Sequence, residues 1–354
     1  MRKLILLLMA VVILVGCAKA GNPVSTNEVL VLSDSVPLNG YARDVEVYED
    51  YIVIAEDKAG LSLVNRSSGE RIWITSVSIG EESKELVDIN NVAYLSEFGI
   101  LAYTESLEAD QINIVDVSDF TNPAYMSTIL GGVSGIYELR LEVAGPPEQG
   151  ADSVALFYYS FASSGYLKKG GFGYFVGVED NVLNLGFIPG NGQLNAQNDI
   201  YGYDEDEDYY YLASGQRGVK IMSKLSEDIG VIINSEFDVA GEALDAVIIG
   251  NYLYVACRQE GIKVFDVTDR NSPVIEPLYE RSTSGLASDL AHEGNYLALA
   301  STSGGVYLFN VSDPSAPSYI EKDSSNSGYT YSVSIKDGYV FAGARDKLTI
   351  FEIK

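Results

Sequence analysis

The sequence predicts an all-β fold built from one repeated four-stranded unit, and three observations predict it. Tyrosines recur at a fixed interval: Tyr209, Tyr252, Tyr296 and Tyr339 are 43, 44 and 43 residues apart. Each opens a short apolar run (YYYLA, YLYVA, YLALA, YVFAG), and Tyr51 opens YIVIA. A second set of runs follows, led by glycine: Gly60-LSLVN, Gly218-VKIMS, Gly261-IKVFDVTD and Gly305-VYLFNVSD, with Ile112-NIVDVSD and Leu348-TIFEI belonging to it. No long segment of 3.6-residue period lies beyond the first 15 residues. Short β-branched and aromatic runs bounded by Gly, Asp and Pro are strands. Four strands every 40 to 45 residues or so is the arithmetic of a β-propeller blade.

The units run over 41–80, 85–131, 136–190, 197–241, 242–285, 286–328 and 329–354, giving seven blades. The last holds three strands, and Glu28-VLVLSDSVPL supplies the fourth. The ring is thus expected to close by the N-terminal strand joining the C-terminal blade, which removes exposed sheet edges. Units two and three are irregular, which leaves six or eight blades open. The N-terminal strand would run from the bottom of the propeller to the top, taking as top the face where each innermost strand begins. The chain before it therefore leaves from the bottom.

Met1-Arg2-Lys3 precedes a 12-residue apolar run, Leu4 to Val15. That matches a signal-peptide core and is shorter than the roughly 20 residues of a membrane span. Leu14-Val15-Gly16-Cys17 resembles a bacterial lipobox, in which the cysteine carries lipid; an ordinary signal peptide with an incidental cysteine is the alternative. The expected organisation is a lipoprotein signal peptide at 1–16, the lipidated Cys17 and a flexible tether at 17–27, and one propeller domain over 28–354. Cys257 then has no disulfide partner and reads as a structural thiol at a strand end.

Composition narrows the function. Lys plus Arg number 23 against 50 Asp plus Glu, a net charge of −27. A general nucleic-acid binder needs the opposite surplus. One His and two Cys exclude a His- or Cys-rich metal centre. Gly-rich stretches lack the strand–loop–helix context of a phosphate site, and no G-x-S-x-G element is present.

Ile112-NIVDVSDFTNP, Ile262-KVFDVTDRNSP and Val306-YLFNVSDPSAP resemble the LVIVD-repeat proteins of prokaryotic cell surfaces. The resemblance spans most of the chain and is weakest at Tyr174-FVGVED and Val219-KIMSKLS. It implies a β-propeller lipoprotein and carries no ligand or catalytic residues.

Seven residues before the repeat tyrosines stand Asp44, Asp245, Asp289 and Ser332. Asp199 is expected at this place in unit four, on the reading that its hairpin is three residues longer, and Glu138 in unit three. Unit two leaves Asn91 or Ala93. These acids would ring the mouth of a central channel. One reading is a cation site, with calcium at Asp44, Asp199, Asp245 and Asp289, or a mouth for a cationic or hydroxyl-rich ligand. The other is structural: the acids cap backbone N–H groups or pair with Arg43, Arg217, Arg258 or Arg345. The structural reading weighs more, because a residue repeated in most blades serves the blade. The acidic run 204–208 reads as a solvated bottom turn, and His292 as a packing residue. A long Gly-rich insertion on the top face offers Phe161, Tyr166, Lys168, Lys169 and Phe172 as an interaction lip.

The expected function is a non-catalytic binding or scaffold domain of an exported, lipid-anchored cell-envelope protein, on the outer membrane or cell surface. It presents an acidic top face to an envelope protein or polysaccharide, binds no nucleic acid and requires no cofactor, with calcium left open. The alternative is a carboxylate-based glycan-active or other propeller enzyme with its site at the channel.

Overall fold

The computed structural model describes residues 29–96, 99–105, 111–130, 136–144, 154–161, 172–175, 185–188, 200–223 and 232–354. After β1 (Leu30–Pro37), the first sheet is the meander β2 (Asp44–Val47), β3 (Tyr51–Ala55), β4 (Leu61–Asn65) and β5 (Arg71–Ile74). A hairpin follows, β6 (Ser76–Ile79) and β7 (Glu82–Glu85). The second meander is β8 (Ile89–Leu95), β9 (Ile100–Glu105), β10 (Gln111–Asp116) and β11 (Ala124–Leu130). Then come the pairs β12 (Ile136–Ala144) with β13 (Val154–Phe161), and β14 (Phe172–Phe175) with β15 (Leu185–Ile188).

Four-stranded meanders resume with β16 (Gly202–Glu205), β17 (Tyr209–Ala213), β18 (Val219–Ser223) and β19 (Ile232–Phe237). The next is β20 (Asp245–Ile249), β21 (Tyr252–Ala256), β22 (Ile262–Asp266) and β23 (Tyr279–Arg281). It is followed by β24 (Asp289–Glu293), β25 (Tyr296–Ala300), β26 (Val306–Asn310) and β27 (Ser318–Asp323). The last three strands, β28 (Thr330–Lys336), β29 (Tyr339–Ala344) and β30 (Lys347–Ile353), take β1 as their fourth, with Leu30 opposite Ile353 and Pro37 opposite Lys347.

Every repeat tyrosine is the first residue of a second strand. The second and third strands are almost wholly buried because neighbouring sheets cover both their faces. One core cluster joins Val53 and Leu63 of the first sheet to Val92 and Leu101 of the next. Another joins Tyr254 and Val264 to Leu297 and Phe309. First strands also follow one another: β2 packs on β8, β8 on β12, β12 on β16, β16 on β20, β20 on β24, β24 on β28, and β28 on β2.

The repeated motif has a local cause at each end. Gly60, Gly218, Gly261 and Gly305 close the top loops with φ of 92°, 74°, 81° and 77°. A Cβ there would stand 2.0–2.3 Å from the carbonyl oxygen of Asp323, Arg281, Phe237 or Ile74, so only glycine fits. At the other end, Asp266 Oδ1 accepts the Thr268 N–H at 2.8 Å and Asp269 Oδ1 accepts the Asn271 N–H at 3.0 Å. Asp116 and Asp119 make the same double Asx turn in the second sheet, and Asn310 and Asp313 make it in the sixth unit.

The boundary expected at residue 80 is corrected. The first sheet ends at Ile74, and the β6–β7 hairpin leaves it to reach the outer edge of the second, where Ala124 pairs with Ser78. That edge is available because β11 is the outermost strand of its meander, and the hairpin covers it.

Candidate functional site

The first strands surround a cavity of about 500 Å³, lined among others by Asp44, Glu46, Asp245, Asp289 and His292. A first strand is a sheet edge, so its outward N–H groups lie beyond the ladder and need other acceptors. The recurrent aspartates supply them. Asp44 Oδ2 accepts the Val92 N–H at 2.9 Å, Asp245 Oδ2 the Leu290 N–H at 2.9 Å, and Asp289 Oδ2 the Val333 N–H at 2.7 Å. Each bond runs from one sheet to the first strand of the next. Asp204 and Tyr48 do the same one step lower, accepting the N–H groups of Ile248 (2.9 Å) and Tyr94 (2.7 Å).

Register fixes which residues share this position. Asp44, Asp245 and Asp289 pair with Ala55, Ala256 and Ala300; in the unit of β16 it is Gly202 that pairs with Ala213. Gly202 therefore stands where Asp199 was expected, because this hairpin has the ordinary length. A Cβ at Gly202 would lie 2.3 Å from Asp245 Oδ1. Asp199 itself lies outside the described residues. In the second sheet the position is Asn91, two residues after Ile89, which bridges to Asp57 as Ala287 bridges to Arg258. Glu138, Phe161 and Phe172 fall on β12, β13 and β14, whose side chains lie outside the described part; Tyr166, Lys168, Lys169 and Cys17 lie outside it altogether.

Among the described residues, no three His, Cys, Asp or Glu side chains gather as a metal site would require. Arg43 donates to Asp57 at 2.9 Å, and Arg258 pairs with Glu242. In the acidic turn, partial burial opposes ionisation of Asp206. Bonds from Tyr211 Oη and from the Asp208 and Tyr209 amides, with Arg270 beside them, outweigh it and hold the carboxyl below its usual range. Arg270 also donates to Tyr211 Oη at 2.9 Å, tying this turn to the next unit. His292 lines the cavity, with Nε2 2.9 Å from the Gly294 carbonyl oxygen.

Cys257 is fully buried, and burial pushes its thiol up to about 12. A thiolate is the reactive form. The native protein is therefore expected to give no reaction at Cys257 with a chromogenic disulfide reagent at pH 8. After unfolding in urea this thiol should react fully.

A tyrosine–arginine cluster stands on the top face. The rings of Tyr41 and Tyr331 stack with centroids 5.7 Å apart, and Tyr329 lies 5.0 Å from Tyr331. The Arg43 guanidinium sits 5.5 Å from the Tyr41 ring and 5.2 Å from that of Tyr331. Arg345 sits 5.5 Å from Tyr41 and 5.0 Å from Tyr329. Tyr41, Arg43 and Arg345 are exposed, and Arg43 and Tyr331 also line the central cavity. The N-terminal segment and the last sheet bring these residues together across almost the whole sequence. The only linear signal was Tyr and Arg density in Tyr41-Ala-Arg43 and Tyr329-Thr-Tyr331.

The LVIVD repeat family matches residues 39–67, 240–280 and 284–322. No curated protein matches the sequence. Among solved structures, the WD40 β-propeller domain of Doa1 is similar with a TM-score of 0.63 and 14% identity, covering 92% of this chain and 97% of that one. The β-propeller domain of Cps50 (Swd1) from Myceliophteria thermophila is similar with a TM-score of 0.61 and 9% identity, over 92% and 100% of the two chains. The computationally designed Ika8 protein gives 0.54 and 10%, over 90% and 98%. At these identities the likeness concerns the fold.

Proposed function

The chain carries LVIVD repeats and has a β-propeller fold, and from that premise we propose that it is a non-catalytic binding domain of the cell envelope. Its partner in this reading is an envelope protein. Seven blades in a closed ring form the scaffold. Two observations support that count: each first strand packs on the one before and the one after, and β1 pairs with β30. Residues 1–16 act as a signal peptide, Cys17 as the lipid anchor, and 17–27 as the tether. Leu30 enters beside Ile353, at the end of β30 away from the top loops, which suits a bottom face turned to the membrane.

The observation that carries the binding role is the cluster in which exposed Tyr41, Arg43 and Arg345 surround half-buried Tyr329 and Tyr331. Tyrosine and arginine dominate the energetic centres of protein interfaces, and cation–π contacts here hold their side chains ready for contact. The non-catalytic reading draws support from the channel aspartates, whose oxygens accept backbone N–H groups.

Photocrosslinking on intact cells, with the probe placed beside the cluster at residue 346, tests this. One neighbouring protein should be captured reproducibly. A Tyr331→Ala, Arg345→Ala variant should lose it about thirty-fold, the effect of removing about 2 kcal/mol of contact energy. Undiminished capture by the variant, or no reproducible protein neighbour, would overturn the reading; capture of polysaccharide alone would replace the partner class.

A further inference from the structure

We propose that the notch between β5 and the β6–β7 hairpin is a subsite for one neutral pyranose ring of a glycan, with Trp73 as its stacking platform. The inference does not rest on the top-face cluster. It comes from two departures from the repeat that meet at one cavity.

The first departure is Trp73, the single tryptophan of the chain. In the first sheet the β4–β5 register sets Trp73 opposite Ser62. The corresponding pairs in three later sheets are Lys220 with Glu236, Lys263 with Glu280, and Tyr307 with Lys322. The second and last sheets have Thr128 and Ser35 there, so every other described meander puts a charged or hydroxyl side chain at this place. In the first sheet it carries an indole that is 49% exposed. Packing gives no reason for that, since exposing so large an apolar ring forgoes its burial energy.

The ring is also fixed. Its Nε1 donates to the Ala59 carbonyl at 2.7 Å, and the Arg71 guanidinium lies 5.8 Å from the ring centre. Arg71 is itself pinned by Glu56 at 2.6 Å, Ser62 at 2.8 Å and the Pro37 carbonyl at 3.0 Å. A platform held this way loses little freedom when a ligand stacks on it.

The second departure is the hairpin, which no other described unit has. Ser78 holds it to the second sheet, its N–H and hydroxyl both donating to the Pro123 carbonyl at 3.0 Å. So placed, it walls a cavity of about 430 Å³ lined by Lys58, Trp73, Thr75, Ser76, Ser83 and Glu85, among others. That volume lies within the range of about 300–1,000 Å³ of small-ligand pockets.

The lining chemistry selects the ligand class. Three hydroxyls, one ammonium and one carboxylate offer both donors and acceptors around an aromatic face. A neutral polyol uses all of these. A phosphate or a free carboxylate would meet Glu85 and the field of a chain with net charge −27. An equatorially substituted pyranose presents axial C–H bonds on its ring faces, which suits the negative face of an indole.

The single tryptophan makes the test direct, because all indole emission from the full-length protein comes from this site. Titration with cellobiose and with N,N′-diacetylchitobiose should shift that emission saturably, with Kd of about 1–10 mM for one of them. Inorganic phosphate and a tetraglutamate peptide should give no saturable change. Trp73→Ala removes the fluorophore, so its binding is read by saturation-transfer NMR on the sugar, where affinity should fall about tenfold or more. Trp73→Phe keeps a smaller platform and should fall between the two. Circular dichroism confirms that both variants are folded. No saturable change with either disaccharide overturns the proposal. So does undiminished transfer to folded Trp73→Ala, or saturation by phosphate or peptide in place of sugar.

Discussion

Glu56→Ala is expected to destabilise the protein by about 3–5 kcal/mol, the cost of taking one partner from a buried ion pair. Glu56 is fully buried at the start of the first top loop. Its Oε1 accepts from the Ser62 hydroxyl and from Arg71 Nη2 at 2.6 Å. Its Oε2 accepts the N–H groups of Asn39 at 2.8 Å and Gly40 at 3.2 Å. Alanine would strand a largely buried guanidinium and two backbone donors at once. Glu56→Gln keeps an acceptor and loses the charge, so its loss should be smaller. Equilibrium urea denaturation measures both. A loss below about 1 kcal/mol for alanine would mean that water or neighbouring groups take over these bonds. The amides of Asn39 and Gly40 hang on this carboxylate, so their hydrogen exchange should rise before the rest of the sheet responds.

The second large effect concerns the aspartates of the channel. Replacing Asp44, Asp245 and Asp289 together by alanine should cost about 3–9 kcal/mol, at about 1–3 kcal/mol for each backbone N–H left without its acceptor. Asp245 and Asp289 both accept the Leu290 N–H, so their losses should couple, whereas that of Asp44 should add to theirs. Replacement by asparagine keeps an oxygen at each place and should preserve most of the stability. The contrast separates two roles for the acids. A clamp needs an acceptor, whereas a cation site needs the negative charge. If the asparagine triple is as unstable as the alanine triple, the clamp reading fails.

Much of the fold was legible because the repeat writes the same physical demands several times. Strand starts at Tyr51, Tyr209, Tyr252, Tyr296 and Tyr339 and the loop-closing glycines could be found by alignment of the chain with itself. The pairing of the N-terminal strand with the last sheet followed from a shortage of one strand in the final unit. The site was harder. In the fourth unit the nearest acid before the strand is Asp199, whereas the seven-residue spacing from Tyr209 falls on Gly202, the residue the register selects. A bulge between Ile89 and Val92 is why spacing alone left both Asn91 and Ala93 open in the second unit. Trp73 could not be seen as an exception until its register partners, and the charged residues at the equivalent places, were known. The Tyr41–Tyr331 contact joins residues that only closure of the sheet brings together.

The β1–β30 ladder also governs the order of events as the chain is made. Leu30 finds its partner Ile353 only after every intervening sheet has been synthesised. Contacts between residues so distant in sequence form slowly, since the chain between must first be drawn in. Until then β1 is an orphan strand with an unpaired edge, open to the wrong partner. Its exposed stretch Leu32–Ser35 alternates little apolar surface with serine and aspartate, which weakens its pull on strangers while it waits.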